Sequence, residues 1–131
     1  MSFLLDTDIC SLYLKGNGKV FNKIVQYGGG LNLSTVVIGE LYTWAYRGPA
    51  QVMRLQGVKD LIAGSVVIAF DLQIAEFFGQ TRAALISKGI NIPESDMQIA
   101  ATALIHNLTV VTHNVRHYTL IPGLRIEDWT A

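Results

Sequence analysis

The sequence predicts an α/β fold in which helices cover both faces of a central, mainly parallel sheet of four to five strands. Short apolar runs alternate with longer segments of helical periodicity along the chain. Half of the 131 residues are hydrophobic and 15% are charged, a balance typical of a folded domain. A chain of this length is expected to form one domain, residues 1–131.

Strands and helices alternate in the first half of the chain. An apolar run at 3–5 stops at the polar cluster Asp6-Thr7-Asp8, which is suited to cap the helix that follows. Glycines end that helix and the next one, which is predicted around 20–25. The run 31–33 predicts a second strand, and the serine and threonine behind it can cap a helix that continues towards Arg47.

The second half continues the same alternation. A helix fits 50–63, and the β-branched, apolar segment 65–70 predicts a buried parallel strand. The periodicity of 72–88 predicts a helix that stops before a glycine. An alanine-rich helix, a strand and a final edge strand are then predicted at 93–106, 109–112 and 124–126.

Composition excludes several classes of protein. The lone Cys10 has no cysteine partner for a disulfide and no neighbours with zinc-site spacing, so a reducing compartment is expected. No basic stretch precedes a long apolar run and no window is long enough for a membrane span, which favours the cytoplasm and no membrane contact. Ten basic and ten acidic residues cancel, so any contact with nucleic acid has to be local.

Asp6 and Asp8 follow the first predicted strand. Because parallel sheets bind ligands beyond the carboxyl ends of their strands, both carboxylates are expected at that edge. Acidic residues are also common at helix starts, where they interact favourably with the helix dipole. The sequence favours this capping role for Asp8 and leaves ligand binding and a structural role equally open for Asp6.

Glu40 and Asp96 are candidate site residues on two further helices. The residues three and four positions from Glu40 look core-facing, so its carboxylate is expected to point inwards and to need a cation, a metal or a proton. A salt bridge to Arg47 or Arg82 is the alternative. Asp96 begins a helix and can act there through the dipole alone, with Ser95 as the better cap.

Together, Asp6, Glu40 and Asp96 belong to separate elements whose ends can converge. Convergent carboxylates repel one another unless a cation neutralises them, and their oxygens suit hard cations such as Mg²⁺ or Mn²⁺. Such a cation can activate water and stabilise charge on a phosphate, which is the chemistry of nucleases and phosphatases.

Four segments, in this order, resemble VapC-like PIN domains, the ribonuclease toxins of type II toxin–antitoxin pairs. They are Asp6-Thr7-Asp8, Val37-Ile38-Gly39-Glu40-Leu41, Asp96-Met97-Gln98-Ile99-Ala100-Ala101 and Thr112-His113-Asn114-Val115-Arg116-His117-Tyr118. The ending Ile121-Pro122-Gly123-Leu124 is also similar to that of the family. The resemblance covers nearly the whole chain.

The resemblance implies a PIN-like three-layer α/β/α sandwich and an Mg²⁺- or Mn²⁺-dependent endoribonuclease whose products carry 5′-phosphates. It also implies a homodimer and silencing by a VapB-like antitoxin whose tail occupies the active site. By motif position, three acids are implied as metal ligands: Asp6, Glu40 and Asp96. The residues implied to support them are Thr7, Asp8, Thr112 and Asn114.

His117 stands where many members of the family carry a further acid. A neutral imidazole adds no negative charge, which leaves the number of metal ions open. The imidazole can contact the scissile phosphate or transfer a proton, or it can be an ordinary surface side chain. Arg82 and Arg116 are candidate RNA contacts, although scattered basic residues are also typical of a solvated surface.

Two other functions are compatible with parts of the sequence. A catalytically weak PIN fold that binds RNA or protein as a scaffold is suggested by His117, whereas the three acids argue against it. A phospho-accepting receiver domain has a similar architecture, but no suitable acceptor aspartate or partner lysine follows the middle strands. The sequence identifies neither the RNA nor the antitoxin.

Overall fold

One five-stranded sheet organises the computed structural model, which describes residues 2–131. The strands are β1 (Phe3–Leu5), β2 (Leu31–Ser34), β3 (Val66–Ile68), β4 (Thr109–Val111) and β5 (Ile126–Glu127). The helices are α1 (Thr7–Leu14), α2 (Gly18–Gln26), α3 (Thr35–Arg47), α4 (Gln51–Ala63), α5 (Leu72–Ser87), α6 (Glu94–His106) and α7 (Val115–Tyr118). A short 3₁₀ turn at Gly28–Gly30 precedes β2.

The sheet has the order β3-β2-β1-β4-β5, and every neighbouring pair is parallel. Phe3 of β1 is paired with Leu31 of β2 on one side and with Thr109 of β4 on the other. Because β1 is central, all three of its residues are fully buried. The predicted parallel sheet and three-layer α/β/α architecture are confirmed.

The parallel strand predicted at 65–70 is present, but the prediction that it is buried is wrong. Only Val66–Ile68 forms a strand, and it lies at the edge of the sheet with β2 as its one neighbour. Val66 is 60% exposed and Val67 is 45% exposed. A β-branched apolar run has the same composition at an edge as in the centre, so its sequence could not distinguish the two positions.

Three further details of the strands and helices differ from prediction. The last strand occupies Ile126–Glu127 instead of 124–126, and α7 was not predicted because four residues are too few to show periodicity. Helix α6 begins after Pro93 without a side-chain cap, so Ser95 does not cap it. Ser34 does cap α3, since its hydroxyl accepts a hydrogen bond from the Val36 amide at 3.1 Å.

The core on one side of the sheet is built around Trp129, which is 1% exposed and packs edge-on against Phe3 at a centroid separation of 5.0 Å. Tyr27 stacks on the same indole at 5.7 Å. These contacts fix the end of the chain beside the central strand. Among residues 2–131, no helix is both long and apolar enough to cross a membrane.

Candidate active site

An acidic cleft of about 120 Å³ lies at the carboxyl end of β1, where α1, α3 and α6 meet. Its lining includes four carboxylates from three separate parts of the chain. The lining residues are Asp6, Thr7, Asp8, Glu40, Ser95, Asp96 and Ile99. The structure therefore brings together the three acids expected to converge, together with Asp8, which was expected at the same edge of the sheet.

Asp6 is held in place by both its backbone and its side chain. Its amide donates to the Val111 carbonyl at 3.0 Å, which continues the pairing of β1 with β4. One carboxylate oxygen, Oδ1, accepts from the Ile9 amide at 2.9 Å, so Asp6 is the N-cap of α1. The prediction that Asp8 caps this helix is wrong, because Asp8 lies within its first turn.

Burial dominates the electrostatics of Asp6, whose side chain and backbone are only 3% exposed. Removal from water raises its pKa from 3.8 to about 7. Hydrogen bonds from Thr112 and from the Ile9 amide oppose this rise, and the negative charges of Asp8 and Asp96 add to it. Near neutral pH, the Asp6 carboxyl is therefore only partly ionised.

Thr112 and Asn114 connect Asp6 to Asp8. Thr112 lies beside Asp6, whose pKa it lowers, and its hydroxyl oxygen accepts from the Asn114 amide at 2.8 Å. The Asn114 side-chain nitrogen donates to Oδ2 of Asp8 at 2.9 Å. A short polar network from the end of β4 thus orients two of the four acids.

Glu40 is exposed, which contradicts the expectation that it points into the core. The buried stripe of α3 consists of Val37, Leu41 and Ala45, and Glu40 lies on the adjoining face of the helix, at the rim of the cleft. Its Oε1 accepts from the Thr7 hydroxyl at 2.6 Å. Within residues 2–131, it makes no salt bridge, so the alternative of an arginine partner is also not observed.

Asp96 is anchored by two neighbouring residues of α7. Nδ1 of His117 lies 2.7 Å from Oδ2 of Asp96, and the Tyr118 hydroxyl donates to Oδ1 at 3.3 Å. Tyr118 is fully buried, and burial together with nearby carboxylates raises its pKa above the usual range, so the hydroxyl stays a donor. His117 therefore contacts an acid of the cleft instead of projecting freely into solvent.

Tyr118 was missed as a site residue, although it ends the segment 112–118 that carried the resemblance. A single tyrosine after a histidine carries no pattern that reveals a contact with an aspartate 22 positions earlier in the chain. The short helix α7 produces that contact, and the sequence did not reveal the helix.

Arg82 and Arg116 do not line the cleft. The guanidinium of Arg82 lies 3.8 Å from a carboxylate oxygen of Glu94 and 5.7 Å from the ring centroid of Phe78. Arg116 is exposed on α7. Their role in RNA binding stays a prediction.

The donors around the cleft have the chemistry that a hard divalent cation prefers, since all four acids offer carboxylate oxygens. In the part of the chain that the structure describes, no three His, Cys, Asp or Glu side chains are already grouped as a coordination sphere. Glu40, Asp8 and Asp96 are instead each hydrogen-bonded to a neighbouring side chain. Small rotations of side chains at the cleft rim would be needed to surround an ion.

Comparison with known proteins gives full-length matches. The chain is 33% identical, over 130 residues and 98% of both chains, to the tRNA(fMet)-specific endonuclease VapC of Salmonella typhimurium. It is 30% identical, over 131 residues and 99% of both chains, to the protein of the same name from Shigella flexneri. No family model matches the chain.

Solved structures of VapBC complexes are also similar over nearly the whole chain. The crystal structure of DNA-bound VapBC from Salmonella typhimurium has a TM-score of 0.92 at 33% identity, with 98% of each chain covered. The crystal structure of VapBC2 from Rickettsia felis, bound to a DNA fragment from the promoter, has a TM-score of 0.90 at 25% identity and covers 98% of this chain and 99% of that one.

Proposed function

Because the chain belongs to the VapC family of ribonucleases, we propose that it is a metal-dependent endoribonuclease and the toxin of a toxin–antitoxin pair. The observation that carries the proposal is the convergence of Asp6, Asp8, Glu40 and Asp96 on one cleft at the carboxyl end of the central strand. Such a concentration of acids is poorly suited to bind a phosphodiester by itself, because both are negatively charged. It is well suited to bind a cation that in turn binds the phosphodiester.

Mg²⁺ or Mn²⁺ is the cofactor that these residues fit. Asp6, Glu40 and Asp96 would hold it, with Asp8 close enough to the same cleft to bind it or its water. When bound, the cation would activate water for attack on phosphorus and stabilise negative charge on the phosphate and the leaving oxygen.

The remaining residues of the site would orient the acids. Thr112 and Asn114 hold Asp6 and Asp8, and the Thr7 hydroxyl holds one oxygen of Glu40. Each such donor restricts the carboxylate to one rotamer, which lowers the entropy that ion binding would cost.

His117 would act through Asp96. Its Nδ1 and the Tyr118 hydroxyl engage different oxygens of the same carboxylate, so Asp96 is restrained from two sides. We infer that His117 is a positioning residue, because its Nδ1 is hydrogen-bonded to Asp96. This contact supports a structural use of the histidine in place of the further acid of many relatives.

A VapB-like antitoxin and a second copy of this chain are the proposed protein partners. The similar structures from Salmonella typhimurium and Rickettsia felis are VapBC complexes. Strand β3 supports dimerisation, because it leaves an apolar sheet edge open at Val66 and Val67, and such edges are usually covered.

RNA is the proposed substrate, and initiator tRNA is the first to test, since the relatives from Salmonella and Shigella are named as specific for tRNA(fMet).

Cleavage by purified, partner-free protein tests the proposed function. The parent chain and Asp96→Asn are incubated with initiator tRNA and with a mixed small-RNA pool, in Mg²⁺, in Mn²⁺ or in EDTA. Asp60→Asn is the matched control, because it makes the same change of charge at an exposed residue outside the cleft. Circular dichroism and thermal melting verify that all three proteins are folded.

We expect cleavage only with a divalent ion, and a loss of at least about 100-fold in Asp96→Asn. Asp60→Asn is expected to cut as the parent does. If the folded parent cuts no RNA in any ion, the nuclease proposal is wrong and the alternative of a binding scaffold is favoured.

A further inference from the structure

A second, larger pocket adjoins the acidic cleft. It has a volume of about 490 Å³ and shares Thr7 and Glu40 with the cleft, so these two hydrogen-bonded residues form a common wall. The rest of its lining comes from the end of α3 and from α4: Thr43, Trp44, Arg47, Gly48 and Arg54. The charged groups of the cleft are all acids, whereas this pocket has two arginines in addition to the shared Glu40.

Arg54 is held in a defined position within this pocket. Its Nη1 donates to the Trp44 carbonyl at 3.1 Å, and its guanidinium carbon lies 4.6 Å from the centroid of the Trp44 ring. The side chain is half-buried. An arginine stacked on an indole loses less rotamer freedom when it binds a ligand, because its planar group is already ordered.

The charge of Arg54 is not neutralised by the protein. Across residues 2–131, no carboxylate lies within salt-bridge distance of Arg54 or Arg47. Only one of the five N–H donors of the Arg54 guanidinium is used by a protein hydrogen bond in this region. An ordered, partly desolvated guanidinium with free donors is suited to bind a planar pair of anionic oxygens, as in phosphate.

Gly48 makes room for this arrangement. A methyl group built on Gly48 would overlap Nη1 and Cζ of Arg54. The backbone of Gly48 is extended, with φ −121° and ψ −176°, so alanine is conformationally acceptable there. Gly48 is therefore needed to leave space for the guanidinium of Arg54, because its backbone angles do not require glycine.

We propose that Arg54, positioned by Trp44 and Gly48, binds a backbone phosphate of the RNA strand next to the phosphate that is cleaved, with Arg47 as a second cation in the same pocket. The inference rests on the proposed function, since it assigns a subsite to that reaction. A strand whose scissile phosphate lies at the acids would cross the wall formed by Thr7 and Glu40 and enter this pocket. The pocket would offset the repulsion that the acids exert on the substrate.

Steady-state cleavage of an in vitro transcribed initiator tRNA tests the subsite in the full chain, with Mn²⁺ present and KCl varied. For Arg54→Ala we expect KM to rise roughly tenfold with kcat nearly unchanged, because the contact is made equally before and during the reaction. The slope of log(kcat/KM) against log[KCl] should become shallower by about one. Arg54→Lys keeps the positive charge but loses the planar guanidinium group. The salt dependence of its kcat/KM should therefore match that of the parent, and its KM should lie between those of the parent and Arg54→Ala.

Two further variants separate position from charge and from fold. Gly48→Ala retains Arg54 but displaces its guanidinium, and we expect it to raise KM as Arg54→Ala does. Lys59→Ala is the matched control, because it removes one positive charge from the exposed face of the same helix outside the pocket, and it should leave KM unchanged.

The outcomes distinguish this inference from the function on which it rests. If the parent cuts the tRNA and Arg54→Ala has the same KM and the same salt dependence, the subsite is wrong and the nuclease stands. A folded parent that cuts no RNA overturns both. If Arg54→Ala weakens binding of the co-expressed antitoxin and leaves RNA cleavage unchanged, the pocket belongs to the protein partner and the RNA subsite is also wrong.

Discussion

Replacement of Asp6 by asparagine should stabilise the fold while it removes a residue of the proposed metal site. Asparagine is neutral and nearly isosteric with aspartic acid. Its side-chain oxygen can still accept the hydrogen bond from the Ile9 amide that caps α1. The change therefore removes the buried charge and keeps most of the packing around it.

The size of the effect follows from the raised pKa of Asp6. The carboxyl has a pKa of about 7 in the folded chain and 3.8 as its ordinary value. Between these values the folded state keeps a proton that the unfolded state has released, so the free energy of unfolding falls by about 1.4 kcal/mol for each unit that the pH rises. The loss begins near pH 4 and is complete above pH 7, where it totals about 4 kcal/mol.

Urea unfolding of the parent and Asp6→Asn, from pH 3 to pH 8 in EDTA, measures this difference. We expect Asp6→Asn to be more stable by about 4 kcal/mol at pH 8 and by about 2 kcal/mol at pH 5, with the two proteins converging at pH 3. In thermal melts, the difference at pH 8 corresponds to an increase in Tm on the order of 10 °C. A difference that does not depend on pH would refute the assignment of a raised pKa to Asp6.

Asp128→Asn is a control of opposite sign. Slight burial favours a higher pKa for Asp128, but hydrogen bonds from the side chain and backbone of Thr130 and the proximity of His113 outweigh it and lower the pKa. Its carboxylate therefore stabilises the fold above the unfolded pKa, and this contribution is lost as the pH falls through the folded value. Asp128→Asn should lower stability at neutral pH and have no effect in strong acid.

Four other predictions test separate parts of the molecule. His117→Ala should raise the Mn²⁺ concentration needed for half-maximal cleavage by about tenfold, whereas His117→Gln, whose amide can donate to Asp96, should restore most of the affinity. Trp129→Ala should destabilise the chain by about 4 kcal/mol in urea, since it empties a fully packed site, and a loss below 1 kcal/mol would contradict this packing. Val66→Lys should convert a dimer into a monomer in light scattering, and an unchanged mass would exclude β3 from the interface. Mg²⁺ should raise the Tm of the parent more than that of Asp6→Asn, which an equal rise in both proteins would contradict.

The fold and the positions of the acids were predictable because both depend on patterns that extend along the chain. Alternation of short apolar runs with helical segments predicts a parallel sheet, and polar residues directly after a strand lie at its carboxyl end. Asp6 was located by this reasoning, whereas Asp96 was identified as an acid at the start of a predicted helix. The direction of the Glu40 side chain was not predicted correctly, because several residues of α3 are apolar and only three of them, spaced four apart, form the buried stripe.

The rest of the site depends on contacts that have no sequence period. Tyr118 and His117 meet Asp96 through a four-residue helix, and Arg54 meets Trp44 across the turn between α3 and α4. The sequence predicted a helix that continues towards Arg47, but it did not reveal that a side chain at Gly48 would displace a guanidinium. The path of a turn or a short helix brings these residues together. The composition of the sequence does not determine that path.

The cost of burying Asp6 and the proposed binding of RNA are linked through charge. The buried charge of Asp6 destabilises the folded chain, and a cleft lined by four acids repels a polyanion, so it cannot bind a phosphodiester unless positive charge is supplied from elsewhere. In the proposed function a divalent ion would supply it at the acids, and in the proposed subsite Arg54 and Arg47 would supply it in the adjoining pocket, which shares a wall with the cleft. With no net charge over 131 residues to attract RNA at long range, these local charges would have to provide the proposed affinity for RNA.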